Sequence, residues 1–347
     1  MVVTSRSDHP IRGNAKSLRE ALIMLTIAED QIQTVDKFLA RLDKLHSVPM
    51  VALRVMELTQ DPDFEMADVA ACLEHDPALA ASVLRLVNSS YFGLNGRVTS
   101  LQHAIAYLGR RSLRLTVLSF GLVKTLVSGA PAQFHQAYWK RSLTMAAAAR
   151  KITRLTNQRQ IDAETAFSAG LLADLGMLVM AQLETTKYVD LSEEPDHMIQ
   201  LIQRENKVMG FDHRTVSQRL LTKWKLPPEL IEAVANHHTY LPSASALSQN
   251  LLAANLLAEV LWMPGSPYMQ PLQLVLGNQF GMDVDDLITL AVESKEAVNK
   301  SMEIFEVQLE GHIDLEAIEQ QARAQFELAA LDTAADLDCV EAFAESL

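Results

Sequence analysis

Apolar residues recur along this chain at intervals of three and four, the period of a helix that buries one face. Leu18, Leu22, Leu25, Ala28 and Ile32 open the pattern, and Val35, Phe38, Leu39, Leu42 and Leu45 continue it. Pro49 falls at a first helical turn, where its missing N–H costs nothing. Asp76 and Pro77 read as cap and first residue of a helix burying Leu79, Val83, Leu86 and Val87, which ends in the turn Asn88–Gly93. Leu101, Ile105 and Leu108 face inward on the next helix until Gly109 interrupts it. "SGAP" at Ser128–Pro131 is the sharpest punctuation and is expected to mark a subdomain boundary. Beyond it the spacing predicts helices at about Gln133–Asn157, Ala163–Leu183, Asp196–Lys207, His213–Lys223, Pro228–Asn236 and Ser245–Trp262. Strand-like alternation is missing and no block repeats, so the fold class is all-α.

Composition narrows the function classes. Apolar residues make up 49% and charged residues 21%, as in a globular protein able to bury a large core. Cys72 and Cys339 stand far apart, without the spacing of a disulfide framework or zinc site. The N-terminus has no apolar signal core, and no uninterrupted apolar run of about 18 residues suggests a membrane span; a cytoplasmic location is expected. Net charge is −13, but from Gly281 onward 17 Asp/Glu stand against 3 Lys/Arg, leaving the first 280 residues near neutral. Such a balance argues against general nucleic-acid binding, which needs cations to displace counterions.

One carboxylate lies where carboxylates are rare. "AFSAGLLADLGMLVMAQL" (Ala166–Leu183) is almost wholly apolar, yet Asp174 sits in its middle, on a stripe with Phe167, Leu171 and Leu178. The preceding helix carries Phe134, Tyr138, Arg141, Met145, Ala148, Ile152 and Leu155 on one stripe, with Arg141 its single charge. A short connection makes these two helices antiparallel neighbours, and a buried carboxylate needs a cation. Arg141 can supply one, with a planar fork able to engage both carboxylate oxygens. An Arg141–Asp174 ion pair is therefore expected, with Asn255 near enough to add a neutral hydrogen bond; the alternative is that Arg141 snorkels outward and Asp174 takes water or backbone N–H groups.

Five segments in order, "SVPMVALRVMELTQDPD", "CLEHDPALAASVLRLVNSSYFG", "VTSLQHAIAYLGRRSLR", "FSAGLLADLGMLVM" and "KWKLPPELIEAVANHH", resemble the HDOD domain over about Val35–Trp262. That family comprises bacterial signalling modules related to HD-type metal-dependent phosphohydrolases. The resemblance implies that Arg141, Ala173, Asp174 and Asn255 match the metal-binding positions of the hydrolases, of which Asp174 alone is unchanged. Alanine offers a metal nothing and arginine repels it, so a degenerate metal site is expected. His213, His237 and His238 match positions where binuclear relatives place further imidazoles, and are remnant-ligand candidates beside Asp174. The plainer alternative is helical: His213 follows the capping Asp212, while His237 and His238 close a helix, where an imidazolium suits the dipole. Arg110, Arg111 and Arg114 are either a solvated face or an anion-binding run after Gly109. Asn88 and Ser89, within "NSSYFG", are a helix exit first and a partner or ligand surface second.

Together these readings give an N-terminal helical extension (1–34), an HDOD domain (35–262, divided into a helical subdomain, 35–128, and a degenerate HD-like subdomain, 129–262) and an acidic helical extension (263–347). The fold expected is an HD-like helical bundle behind a smaller helical subdomain. The function expected is a non-catalytic signal-transduction or scaffold protein that needs no cofactor and binds a protein partner. The alternative is a residual phosphohydrolase or a receptor for a nucleotide second messenger, such as a cyclic dinucleotide, built on Asp174 and the three histidines. The last turns, from about Leu331, are expected either to pack on the domain or to act as a detachable docking segment.

Overall fold

A computed structural model describes residues 33–42, 50–59, 61, 63–89, 96–127, 132–156, 161–193, 198–241, 243–305 and 307–328. The expected helix over Leu18–Ile32, Pro49, the end of the turn at Gly93, the Ser128–Pro131 punctuation and the segment from Leu331 lie outside these residues. The described residues form sixteen helices and no strand. They are α1 (33–42), α2 (Met50–Leu58), α3 (Met66–Glu74), α4 (Pro77–Asn88), α5 (Leu101–Val127), α6 (Ala132–Leu155), α7 (Ala163–Leu172) and α8 (Leu175–Leu183). There follow α9 (Thr185–Glu193), α10 (Met198–Met209), α11 (His213–Lys223), α12 (Pro228–Asn236), α13 (Ala246–Trp262), α14 (Met269–Phe280), α15 (Val284–Phe305) and α16 (315–328).

Local signals set many of the helix ends. Asp76 caps α4 by accepting from the Leu79 N–H at 3.0 Å, with Pro77 behind it. Asp212 does the same for α11 through the Thr215 N–H, and Asp162 for α7 through that of Thr165. Gly109 breaks α5 from within, at φ 69° and ψ 165°, a conformation that glycine adopts without a steric penalty.

Two large apolar cores result, beside a small cluster of Ala147, Ala297 and Val298. The smaller of the two cores joins α2–α5 through Val55, Leu73, Val83, Ile105 and Val117, and takes in Ile304 from the end of α15. The larger is built on α6–α8, α11 and α13, and includes Val35, Phe38 and Leu39 of α1. The acidic C-terminal region contributes Met269, Leu272, Leu287, Leu290, Ile318 and Ala322 to this same core, so α14–α16 face it with their apolar stripes.

One expected helix is two. Ala163–Leu183 is apolar enough in length and composition to cross a membrane, yet its most apolar window is 94% buried within the protein, as a core helix is. It divides at Ala173–Asp174, where Asp174 adopts φ −91° and ψ 17°. The cause lies on α11. The Ser217 hydroxyl donates to the Ala173 carbonyl at 3.0 Å and accepts the Gly176 N–H at 2.8 Å. Two backbone groups that an unbroken helix would pair internally are satisfied from outside.

Candidate functional site

Two close approaches position the site. Gly170 of α7 lies against α6, where an added Cβ would stand 2.5 Å from the Ala146 nitrogen. Gly176 lies against the start of α11, where a Cβ would collide with the His213 carbonyl. The first approach presents Asp174 to Arg141 on α6; the second presents it to His213 on α11.

Asp174 is fully buried, and its two oxygens face different worlds. Oδ2 accepts from the Arg141 Nε at 2.9 Å. The same guanidinium donates Nη2–H to Asn255 Oδ1 at 2.8 Å and Nη1–H to Glu259. Arg141 has 12% of its side chain exposed. Burial opposes its charge, but Asp174 and then Glu259 outweigh that and raise its pKa. Burial likewise opposes the Asp174 carboxylate, and Arg141 followed by His237 holds its pKa well below the usual range. The expected ion pair and the Asn255 bond are therefore present, with one difference. The guanidinium engages a single Asp174 oxygen and spends its other edge on Glu259.

Oδ1 faces imidazoles instead. His237 Nε2 lies 3.1 Å from it and His213 Nε2 lies 3.6 Å away. His213 Nδ1 lies 2.8 Å from Glu205 Oε2, whose other oxygen accepts from the Tyr188 hydroxyl at 2.5 Å. His237 Nδ1 is 2.6 Å from the Val234 carbonyl, and His238 Nδ1 is 3.1 Å from the Asn255 amide nitrogen. Burial pulls the His237 pKa down, and pulls that of His238 down much further with help from His237 and His213. His213 goes the other way, since Glu205 and Asp174 outweigh its burial. Both residues close α12, as the helical alternative expects, while burial and the neighbouring rings favour the neutral imidazole over the imidazolium of that reading.

The family resemblance implies a divalent metal, and the donors test its fit. Asp174, His213, His237 and His238 each offer an atom within 4.8 Å of the others. Glu205 and the Val234 carbonyl take the Nδ1–H of His213 and His237, which turns both Nε2 atoms toward Asp174 Oδ1, the tautomer that metal-bound histidines need. The His213 Nε2 is buried without a hydrogen-bond partner. His238 fits less well, because its Nδ1 accepts the Asn255 amide and its Nε2 then carries the proton. The residues suit one ion, held by Asp174, His213 and His237, on the imidazole side of Asp174. On its other side the guanidinium fills the space, and the Ala173 methyl has no donor to give.

Sequence reasoning missed Glu205 and Glu259. Glu205 lies on the apolar stripe of α10 with Leu201 and Ile202, and Glu259 stands four residues after Asn255 in a helix buried on every face. A lone charge on a buried stripe identified Asp174, and the same signal was there for these two.

The remaining candidates lie elsewhere. The Asn88 amide donates to Leu84 and Val98 carbonyls and its oxygen accepts the Val98 N–H, while the Ser89 hydroxyl returns to Leu86. Both act as a helix exit, and both also line a cleft with Arg85, Arg97 and Lys300. Arg110 and Arg114 line a second cleft, and Arg111 stands between them on α5. Neither cleft is lined by the buried centre.

Comparison with known proteins places this arrangement. The family model described as the HDOD domain matches residues 45–240, more than half of the chain. An uncharacterized protein of Treponema pallidum (strain Nichols) is 26% identical over 210 residues, covering 59% of this chain but 39% of that relative. The chain therefore spans well under half the length of the curated relative it matches. An HDOD domain protein of unknown function from Geobacter sulfurreducens shares the fold at TM-score 0.62 and 23% identity, over 80% of this chain and 99% of that one. A candidate metal-dependent phosphohydrolase from Shewanella amazonensis SB2B does so at TM-score 0.59 and 20% identity, over 80% and 99%. A candidate signal transduction protein from Marinobacter aquaeolei VT8 follows at 0.57 and 20%, over 80% and 65%.

Proposed function

The chain belongs to the HDOD domain family, and from that premise we propose that it is a non-catalytic signal-transduction module that works by binding a protein partner. One observation carries this reading. The guanidinium of Arg141, held by Asp174, Asn255 and Glu259, occupies the heart of the fold where a hydrolase needs a metal and room for a phosphoester. Asp174, His213 and His237 are 0% exposed, which supports a structural rather than a substrate-facing role for them. The outer surface of the bundle, rather than a reaction centre, is then what the fold has to offer.

The test is turnover. The protein is to be incubated with manganese, magnesium or iron(II) and nucleoside monophosphates, cyclic dinucleotides or a generic phosphodiester. No hydrolysis above the metal-only rate is expected. Turnover that disappears in Asp174→Ala overturns the reading.

A second reading rests on one contact. Neutral His237 has one N–H for two acceptors, the Val234 carbonyl at 2.6 Å and Asp174 Oδ1 at 3.1 Å. One of those contacts then sets two lone pairs against each other, unless a cation lies between Nε2 and the carboxylate. A single divalent ion bound by Asp174, His213 and His237 removes that conflict. When bound, such an ion supplies Lewis acidity and lowers the pKa of bound water. Metal content of protein purified without chelators decides: about one ion per chain, lost in His237→Ala, supports the loaded form, whereas no metal after incubation with zinc or iron(II) removes it.

A further inference from the structure

Between the α5 segment that follows Gly109 and the turn joining α11 to α12 lies a cleft of about 550 Å³. Leu115 and Leu226, both buried, form its floor, and Pro227 and Pro228 form one wall. Arg110 and Arg114, one helical turn apart, form the other. Arg110 is exposed and Arg114 half-buried. Burial, and then the charge of Arg110, pulls the Arg114 pKa down, so an arriving anion is favoured there. Glu229 is the one carboxylate among the described lining residues. The wall is preformed: two prolines fix it, and Lys225 beside it holds φ 55°, the sole positive value outside glycine among the described residues. Little ordering is needed on binding.

The cleft calls for a ligand with two acidic groups about one helical turn apart and apolar groups beside them. An inorganic anion leaves the apolar wall of half-buried Pro227 and exposed Pro228 unused. Residues 329–347 of this chain carry those features. They contain Asp332, Asp336, Asp338, Glu341 and Glu345 and no Lys or Arg. Asp332/Asp336 and Glu341/Glu345 are each four apart, as Arg110 and Arg114 are. Leu337, Val340, Ala344 and Leu347 follow at helical spacing. Reach sets no limit, since 19 residues extend to about 60 Å, while a chain of this size has a radius of gyration of only about 20 Å.

We propose that the cleft bounded by Arg110, Arg114, Pro227 and Pro228 is the docking site for this chain's own acidic segment, residues 329–347. Paired carboxylates meet the two guanidiniums, and the apolar positions pack on Pro227 and Pro228. A partner that recognises the same cleft must first displace the segment, so the contact is self-inhibitory. The inference is independent of whether the buried centre holds a metal.

Hydrogen exchange on the full chain tests it. At low ionic strength, amides within 329–347 are expected to exchange about tenfold more slowly than in the same sequence as a free peptide. That protection is expected to fall with added salt and to vanish in Arg110→Glu/Arg114→Glu. Combining that pair with Glu341→Lys/Glu345→Lys is expected to restore it, which a merely misfolded variant cannot do; unchanged exchange in α6 and α13 checks the fold. Free-peptide rates in the natural chain overturn the proposal. Protection indifferent to the arginine reversals also overturns it, by placing the segment elsewhere. Protection that grows with protein concentration overturns docking within one chain and assigns the cleft to a second copy.

Discussion

Removing Arg141 or Asp174 is expected to have unequal effects, and the inequality follows from who else each residue touches. In Arg141→Ala two carboxylates, Asp174 at 0% and Glu259 at 9% exposure, lose their shared cation at once. Stranding one buried charge typically costs about 3–5 kcal/mol; Asp174 keeps His237 at 3.1 Å, which softens the loss without ending it. An effect of about 4 kcal/mol is expected. In Asp174→Ala the guanidinium keeps Glu259 and Asn255, so about 2 kcal/mol is expected, the charged hydrogen bond plus a small cavity. In the double variant Arg141 is no longer there to be left partly unpaired, and the total should fall short of the sum by about 1–3 kcal/mol. The measurement is urea-induced unfolding of the four proteins, followed by tryptophan fluorescence and far-ultraviolet circular dichroism, with slopes compared so that midpoints can be read as stability. Additivity within about 0.5 kcal/mol refutes the coupling. An Asp174→Ala loss larger than that of Arg141→Ala refutes the account of Glu259 as the second stranded carboxylate.

Two further outcomes are expected. Ser217→Ala should destabilise by about 2 kcal/mol, because it leaves the Gly176 N–H and the Ala173 carbonyl buried and unpaired; a change under about 0.5 kcal/mol means the α7–α8 break does not need the hydroxyl. Acid should weaken the fold. His237 and His238 have lowered pKa values, so their stabilisation is present above the unfolded value near 6.5 and is lost as pH falls below it. The raised pKa of His213 acts oppositely, adding stability that is full below about 6.5 and lost as pH rises through its folded value. Two groups oppose one, so stability should decline between pH 7 and 5 by at most about 1.4 kcal/mol per unit for each net proton. His238→Gln should flatten that decline, and an unchanged slope sinks the assignment.

Periodicity alone yields the helical class and many boundaries, because a helix that buries one face writes its period into the sequence. The Asp76 and Asp212 caps were legible for a similarly local reason: cap and first turn are neighbours in the chain. Arg141 and Asp174 were legible as partners because each is the lone charge on an apolar stripe, and buried charge demands a counterion. Beyond that reach, only the tertiary structure decides. The break at Ala173–Asp174 depends on Ser217, 44 residues away from Ala173, and no residue within Ala163–Leu183 announces it. Glu259 as the second partner of Arg141, and Glu205 as the residue that orients His213, are set by how α13 and α10 pack. The protonation of the three histidines is likewise a tertiary outcome, since similar rings diverge according to which carboxylates and cations the fold brings beside them. Helix formation is governed by neighbours a few residues apart and so is readable from sequence, whereas a buried charge takes its meaning from groups that only packing makes neighbours.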